Sequence, residues 1–71
     1  MPDREARAAS LAEAVTASRE AGSPYHLAQA LLDLAEARQA LGENAADLVA
    51  EAMSIGQVLR SPLVIRRAEG L

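Results

Sequence analysis

Few side chains in this sequence could do chemistry, and they stand apart from one another. His26 is the only histidine, there is no cysteine, and Asp33 follows His26 by seven residues. A metal site needs several converging ligands, and one imidazole with one carboxylate provides too few. We therefore expect no metal site. His26 is explained more simply as a partly buried or capping residue near the start of a helix.

The acidic and hydroxyl residues do not form a catalytic set either. Asp33 and Glu36 lie side by side if the segment is helical, but an acid–base pair needs environments that separate the two pKa values, and a solvated helix surface has none. The serines cluster at helix starts, where the hydroxyl accepts a backbone N–H, with no histidine–acid set beside them. The glycines are isolated, so no phosphate-binding loop is expected. We expect a non-catalytic protein without a cofactor.

The composition narrows the class of protein. With 71 residues, the chain is expected to form a single domain over residues 1–71. Its formal net charge of −3 argues against a nucleic-acid-binding domain, which is usually basic. The arginines Arg60, Arg66 and Arg67 are expected to be solvated ends of helices. The charged N-terminal segment and the absence of a long apolar run predict no signal peptide and no membrane span. We expect a cytoplasmic protein.

Start and stop signals divide the chain into four helices. The predicted starts are Pro2-Asp3, Ser23-Pro24, Asn44 and Ser61-Pro62, and the predicted stops are Gly22, Gly42, Leu59 or Arg60, and Gly70. No segment alternates as a strand would. Short connections make successive helices antiparallel neighbours. The predicted fold is all-α, with three main helices and a short C-terminal helix.

Gly56 lies inside the third predicted helix. Glycine there costs about 1 kcal/mol relative to alanine, so we expect a structural reason for it. Close approach of another helix is the simplest one.

The sequence repeats itself at one ungapped offset. Residues 11–24, LAEAVTASREAGSP, align with residues 49–62, VAEAMSIGQVLRSP. Alanine matches carry little weight in an alanine-rich chain, but the two Ser-Pro pairs match at the same offset. A repeat of this length indicates a helical array in which each helix pair is covered by its neighbours.

The segment LLDLAEARQALGENAADLVAEAMSIGQVLRSP resembles a tetratricopeptide repeat (TPR). Leu34-Ala35 stands where that family has a Leu-Gly or Leu-Ala pair, Gly42 matches its inter-helix glycine, and Pro62 matches the proline that opens the next repeat. Arg38 replaces the family's tyrosine. The segment is similar to the C-terminal repeat regions of large actinobacterial ATPase-type transcriptional activators and of cyclase–ATPase fusions. The resemblance implies a TPR-like antiparallel array of helical hairpins.

The resemblance also implies a function. In TPR proteins the first helix of each repeat lines the face that binds a partner. This places five residues of the second helix at a protein-binding site: Gln29, Leu32, Asp33, Glu36 and Gln39. Such a face suits a helix or an extended peptide that carries positive charge. The alternative is that these residues form the solvated side of the helix.

Two interpretations of function follow. The first is a protein–protein interaction module, and the second is a sensory or regulatory segment of a bacterial transcriptional regulator or cyclase. We also expect self-association, most simply as a symmetric homodimer, because a short repeat array leaves apolar surface uncovered. The residues expected to be exposed for this contact are Leu63, Val64 and Ile65.

Overall fold

The computed structural model describes residues 3–71, which form four helices. They are α1 (Arg4–Ala21), α2 (Pro24–Ala40), α3 (Ala46–Leu59) and α4 (Pro62–Glu69). No strand occurs within this part of the chain, and the all-α prediction is confirmed. α1 packs on α2, α2 on α3 and α3 on α4, and α4 also reaches back to α2. This order of contacts is that of a helical hairpin array.

The helix starts follow the predicted caps with one exception. Asp3 caps α1 by accepting the Glu5 N–H at 2.9 Å, while Pro2, the other half of the predicted start, lies outside the described residues. The predicted cap at Asn44 is wrong, since α3 begins after Ala45. The Asn44 side chain instead accepts the Ala46 N–H at 2.8 Å. A side-chain bond to the residue two positions on forms a local turn and leaves the capping position to Ala45.

The corner between α1 and α2 and the corner between α3 and α4 have the same backbone. Gly22 and Arg60 occupy the left-handed region with φ of 70° and 53°. Ser23 and Ser61 follow with φ, ψ of −103°, 98° and −98°, 103°. The closing hydrogen bonds also correspond: Gly22 and Ser23 donate to the carbonyls of Arg19 and Ser18, and Arg60 and Ser61 donate to those of Gln57 and Gly56. The repeated Ser-Pro sequence therefore builds one corner twice.

The core is centred on α2. This helix is covered by α1 on one side and by α3 on the other, so its small and medium apolar side chains are buried around much of its circumference. The buried residues of α2 are Ala28, Ala30, Leu31, Leu32, Leu34, Ala35 and Ala37. Val15 of α1, Ala52 of α3, and Val64 and Ala68 of α4 complete the buried cluster.

α4 is held against α3 at Gly56. That glycine is buried, and Val64 and Ile65 of α4 lie directly over it. The close helix approach expected at Gly56 is confirmed. Within residues 3–71, no helix combines the length and the apolar character that crossing a bilayer requires.

Candidate interaction surface

One guanidinium group joins α4 to the polar side of α2. Arg67 donates to Gln29 Oε1 at 2.8 Å, to Glu36 Oε1 at 3.2 Å and to Asp33 Oδ1 through the same Nη2 atom that reaches Glu36. The Arg67 side chain is 29% exposed. Three residues that the sequence places on one helix face are therefore brought together by a residue of another helix.

The spacing of the residues explains how one arginine reaches three partners. Gln29, Asp33 and Glu36 follow one another at intervals of four and three residues, so they lie along a single side of α2. Arg67 is 38 residues from Gln29, which is the repeat offset. Equivalent positions of α2 and α4 are thus in direct contact.

The charges at this site favour the ionised arginine. Partial burial by itself lowers the pKa of Arg67, but its hydrogen bonds to Asp33 and Glu36, together with their negative charges, outweigh that effect and raise the pKa. Arg67 therefore stays charged. The two carboxylates leave one negative charge in excess over the guanidinium.

Exposed apolar side chains adjoin this network. The Tyr25 hydroxyl accepts a hydrogen bond from Gln29 Nε2 at 3.1 Å, and the residue is 41% exposed. Leu63, which is 70% exposed, precedes Arg67 by one turn, just as Tyr25 precedes Gln29. We call the surface formed by Tyr25, Gln29, Asp33, Glu36, Leu63 and Arg67 the α2–α4 face.

α2 and α4 run in the same direction along this face. Gln29 contacts Arg67, and further along both segments Gln39 Nε2 donates to the Leu71 carbonyl at 3.0 Å. Tyr25 and Leu63 therefore lie at the same, N-terminal end of the face. The face is apolar at that end and acidic further along.

The predicted binding residues do not all lie on this face. Gln29, Asp33 and Glu36 belong to it, and Gln39 is exposed at the far end of α2, beside a cleft of 520 Å³. The prediction that Leu32 offers a contact to a partner is wrong, because its side chain is fully buried in the core. The helix turn that points Gln29 and Asp33 outward turns Leu32 inward.

The residues predicted for self-association also differ in placement. Leu63 is exposed and Ile65 is partly buried against α3. The expected exposure of Val64 is wrong: its side chain is fully buried, because it faces Gly56 of α3. Of the three, Leu63 offers the most surface to another molecule.

Sequence reasoning misses Arg67 and Tyr25 as parts of the interaction surface. On the sequence alone, Arg67 is expected to be a solvated helix end. The repeat itself is the signal that could have predicted this contact. Residue 67 aligns with residue 29, and Asp33 and Glu36 follow residue 29 on the same side of the helix.

A second ion pair ties α1 to α3. Arg19 binds both carboxylate oxygens of Glu51, at 2.7 and 3.2 Å. The hydrogen bond from Arg19 lowers the pKa of Glu51, against a smaller opposing effect of partial burial. The hydrogen bond and the charge of Glu51 raise the pKa of Arg19. This pair supports the array without taking part in the α2–α4 face.

His26 lies at the start of α2. Its Nδ1 is 2.6 Å from the Ser23 hydroxyl oxygen, and its ring meets that of Tyr25 edge-on with centroids 6.2 Å apart. Activation of a serine requires a third group that orients the imidazole, and the described contacts of His26 provide only Ser23 and Tyr25. Among residues 3–71, no three His, Cys, Asp or Glu side chains converge as metal ligands.

Comparison with protein families, with curated proteins and with solved structures finds no match to this chain.

Proposed function

We propose that this chain is a non-catalytic protein–protein interaction module, a TPR-like helical array that binds a segment of a partner protein on the α2–α4 face. One observation carries the proposal. The exposed side chain of Tyr25 is hydrogen-bonded to a network with an excess of negative charge, and the exposed side chain of Leu63 lies one turn before Arg67 on α4. Apolar contact area next to oriented polar groups is the usual composition of a specific binding surface.

The chemistry of the face defines the partner segment. An apolar side chain would cover Tyr25 and Leu63, and a basic side chain would approach Asp33 and Glu36. Tyr25 and Asp33 are eight residues apart on α2, which is about 12 Å at 1.5 Å per residue. An extended chain covers that distance in about four residues. The expected segment therefore carries an apolar residue followed, about four positions away, by arginine or lysine.

Binding of model peptides tests this proposal. The probe is a fluorescently labelled peptide with one leucine and one arginine separated by three serines, and the measurement is fluorescence anisotropy at low and high salt. We expect saturable binding that weakens as salt increases, because screening reduces charge pairing at an exposed site. A peptide with serine in place of the leucine is expected to bind more weakly.

Two variants of the protein locate the site. Glu36→Gln removes a carboxylate from the α2–α4 face and is expected to weaken binding several-fold. Glu13→Gln removes the same charge from an exposed position of α1 and is expected to leave binding unchanged. Equal effects of both variants, or no saturable binding by the wild type, would contradict the proposed function.

We also propose that a second copy of the chain is one of its partners. The exposed apolar side chain of Leu63 on α4 supports this, and a two-fold dimer is the commonest way for identical chains to cover such surface. The oligomeric state in solution is the direct test.

A further inference from the structure

A groove of 520 Å³ lies along α3, beyond the end of α4. Leu71, just after α4, lines it together with four residues of α3: Ala46, Val49, Ala50 and Met53. Met53 and Val49 precede Gly56 by three and seven residues, so they share the side of α3 on which α4 packs. We call this cleft the α3 groove. It continues the path of α4 towards the start of α3.

The repeat relates the α3 groove to one face of α1. The residues of α1 equivalent to the four groove residues of α3 are Ala8, Leu11, Ala12 and Val15, and all four pack in or against the core. Val15 is buried and Ala8 and Ala12 are partly buried, whereas their equivalents in α3 are partly buried at Met53 and exposed at Ala46 and Ala50. The same face is therefore covered in the first repeat and open in the second.

The C-terminal half of α2 covers this face in the first repeat. Arg38 of α2 and Leu41, just after it, line a shallow cleft together with Ala8 and Ala12 of α1. α2 has 17 residues, whereas α4, its equivalent in the second repeat, has eight. The α3 groove therefore lies where the second half of a helix like α2 packs.

The first repeat also defines the chemistry of what fits the groove. The covering segment of α2 is LAEARQALG, residues 34–42, which places leucine and alanine on one side of a helix. Its Arg38 lies at a cleft that Glu5 and Glu43 border, and Glu43, the equivalent of Glu5, also borders the α3 groove. An occupant that matches the groove has an apolar side of leucine and alanine and a basic residue beside Glu43.

We propose that the α3 groove binds an amphipathic helix of a partner protein. The helix lies in line with α4, with its apolar side on Ala50 and Met53 and a basic residue near Glu43. This site is distinct from the α2–α4 face, and its occupant is helical rather than extended. Nine helical residues span about 13 Å, so the contact belongs to the small, weak class of interfaces.

An NMR titration of the isotopically labelled full chain tests this site. The probe is a peptide with blocked ends that copies residues 34–42, added up to about 1 mM, the range in which a weak contact is populated. We expect saturable shifts of the amide signals of Val49, Ala50 and Met53. Ala50→Glu places a charge in the groove and is expected to weaken binding at least tenfold. Ala17→Glu makes the same change at an exposed position of α1 and is expected to leave binding unchanged.

Two altered peptides test the helical form and the charge of the occupant. Proline in place of the residue copied from Ala37 breaks a helix, and this peptide is expected not to bind the groove. Glutamate in place of the residue copied from Arg38 is expected to weaken binding several-fold at low salt and less at high salt, because screening reduces the effect of Glu43. Equal binding of the proline peptide would overturn a helical occupant.

The position of the shifts separates this site from the α2–α4 face. Shifts confined to Gln29, Asp33 and Glu36 would overturn the groove and leave the proposed function standing. Groove signals that shift with protein concentration alone, and not with peptide, would identify a second copy as the occupant and overturn the partner helix. The absence of any shift at the groove, or equal binding by Ala50→Glu, would overturn the site itself, while the proposed function depends on the separate test with Glu36→Gln.

Discussion

A Cβ atom added to Gly56 would lie 2.8 Å from Cγ1 of Val64 and 3.1 Å from Cγ1 of Ile65. The first distance is shorter than carbon atoms tolerate without movement. Val64 is β-branched and fully buried, so it has few alternative rotamers in a helix. The absence of a side chain at residue 56 is therefore what lets α4 pack this closely on α3.

The first prediction is that Gly56→Ala destabilises the fold. Overpacking of a tight site costs about 1–3 kcal/mol, and the better helix propensity of alanine returns about 1 kcal/mol. We expect a net loss of about 1 kcal/mol in the free energy of unfolding, measured by urea denaturation. Gly70→Ala is the control, since its Cβ would have only backbone oxygens at 3.6 and 3.7 Å as neighbours. A more stable Gly56→Ala variant would show that the packing argument is wrong.

A double-mutant cycle tests the same contact from the other side. Val64→Ala removes the atom that Cβ of residue 56 would meet. Its destabilising effect should therefore be smaller in the Gly56→Ala background than in the wild type, since neighbouring substitutions are not additive. If the effects of the two substitutions are additive, the strain in Gly56→Ala arises at a contact other than the one with Val64.

The second prediction concerns the left-handed residues at the two Ser-Pro corners. Arg60 has φ of 53° and Gly22 has φ of 70°, a conformation that costs a residue with a side chain about 1 kcal/mol and costs glycine little. Arg60→Gly is expected to stabilise the chain by about 0.5–1 kcal/mol, and Gly22→Arg to destabilise it by about 1 kcal/mol. Thermal unfolding of each variant measures the change in stability. Nothing lies within 4 Å of a Cβ at Gly22, so a loss of stability in Gly22→Arg would reflect backbone conformation alone. If both variants changed stability in the same direction, backbone conformation would not be the cause.

The third prediction is that Arg67→Gln loosens α4. Asp33 and Glu36 are about half exposed, so solvent screening keeps each pair weak, and we expect a total loss of about 1 kcal/mol. Relative to the wild type, amide hydrogen exchange should accelerate more in α4 than in α3. Arg19→Gln removes the same charge from the pair between α1 and α3 and should leave exchange in α4 unchanged. Uniform acceleration in both variants would indicate a general effect of charge.

The fourth prediction is a pH dependence carried by Glu51. The hydrogen bond from Arg19 holds its pKa below the ordinary glutamate value of 4.5. A carboxyl with a lower pKa in the folded state stabilises the fold above its unfolded pKa, and this contribution is lost as the pH falls through the folded pKa. The melting temperature of the wild type should therefore exceed that of Glu51→Gln at neutral pH, and the difference should vanish in acid.

High salt provides the check on this fourth prediction. Screening weakens an exposed pair, so the difference between the wild type and Glu51→Gln at neutral pH should shrink as salt is added. A difference that persists undiminished in acid and in high salt would mean that the substitution disturbs packing rather than the ion pair.

The sequence predicts the helix ends well where the signal is local. Ser61-Pro62 and Gly22 act through their own backbone geometry, and the structure has helix boundaries at both. The prediction for Asn44 is off by one residue because an asparagine side chain can bond the backbone either as a cap or in a turn, and the two patterns differ only in register.

Tertiary contacts limit the rest of the prediction. A stretch such as Leu63, Val64 and Ile65 is apolar throughout, and the sequence does not say which side meets α3. Val64 proves to be a core residue, so the substitution Val64→Asp would unfold α4 and could not report on association. Leu32 and Arg67 are misjudged from the sequence for the same reason, since burial and pairing depend on the neighbouring helix.

The packing of each helix on its neighbours along the chain has a consequence for folding kinetics. Contacts between neighbouring helices close short loops, and proteins dominated by such contacts fold in microseconds to milliseconds. α2 is covered on two sides and α4 adds only eight residues at one end, so opening from that end requires the least disruption. We expect α4 to fold last and to open first.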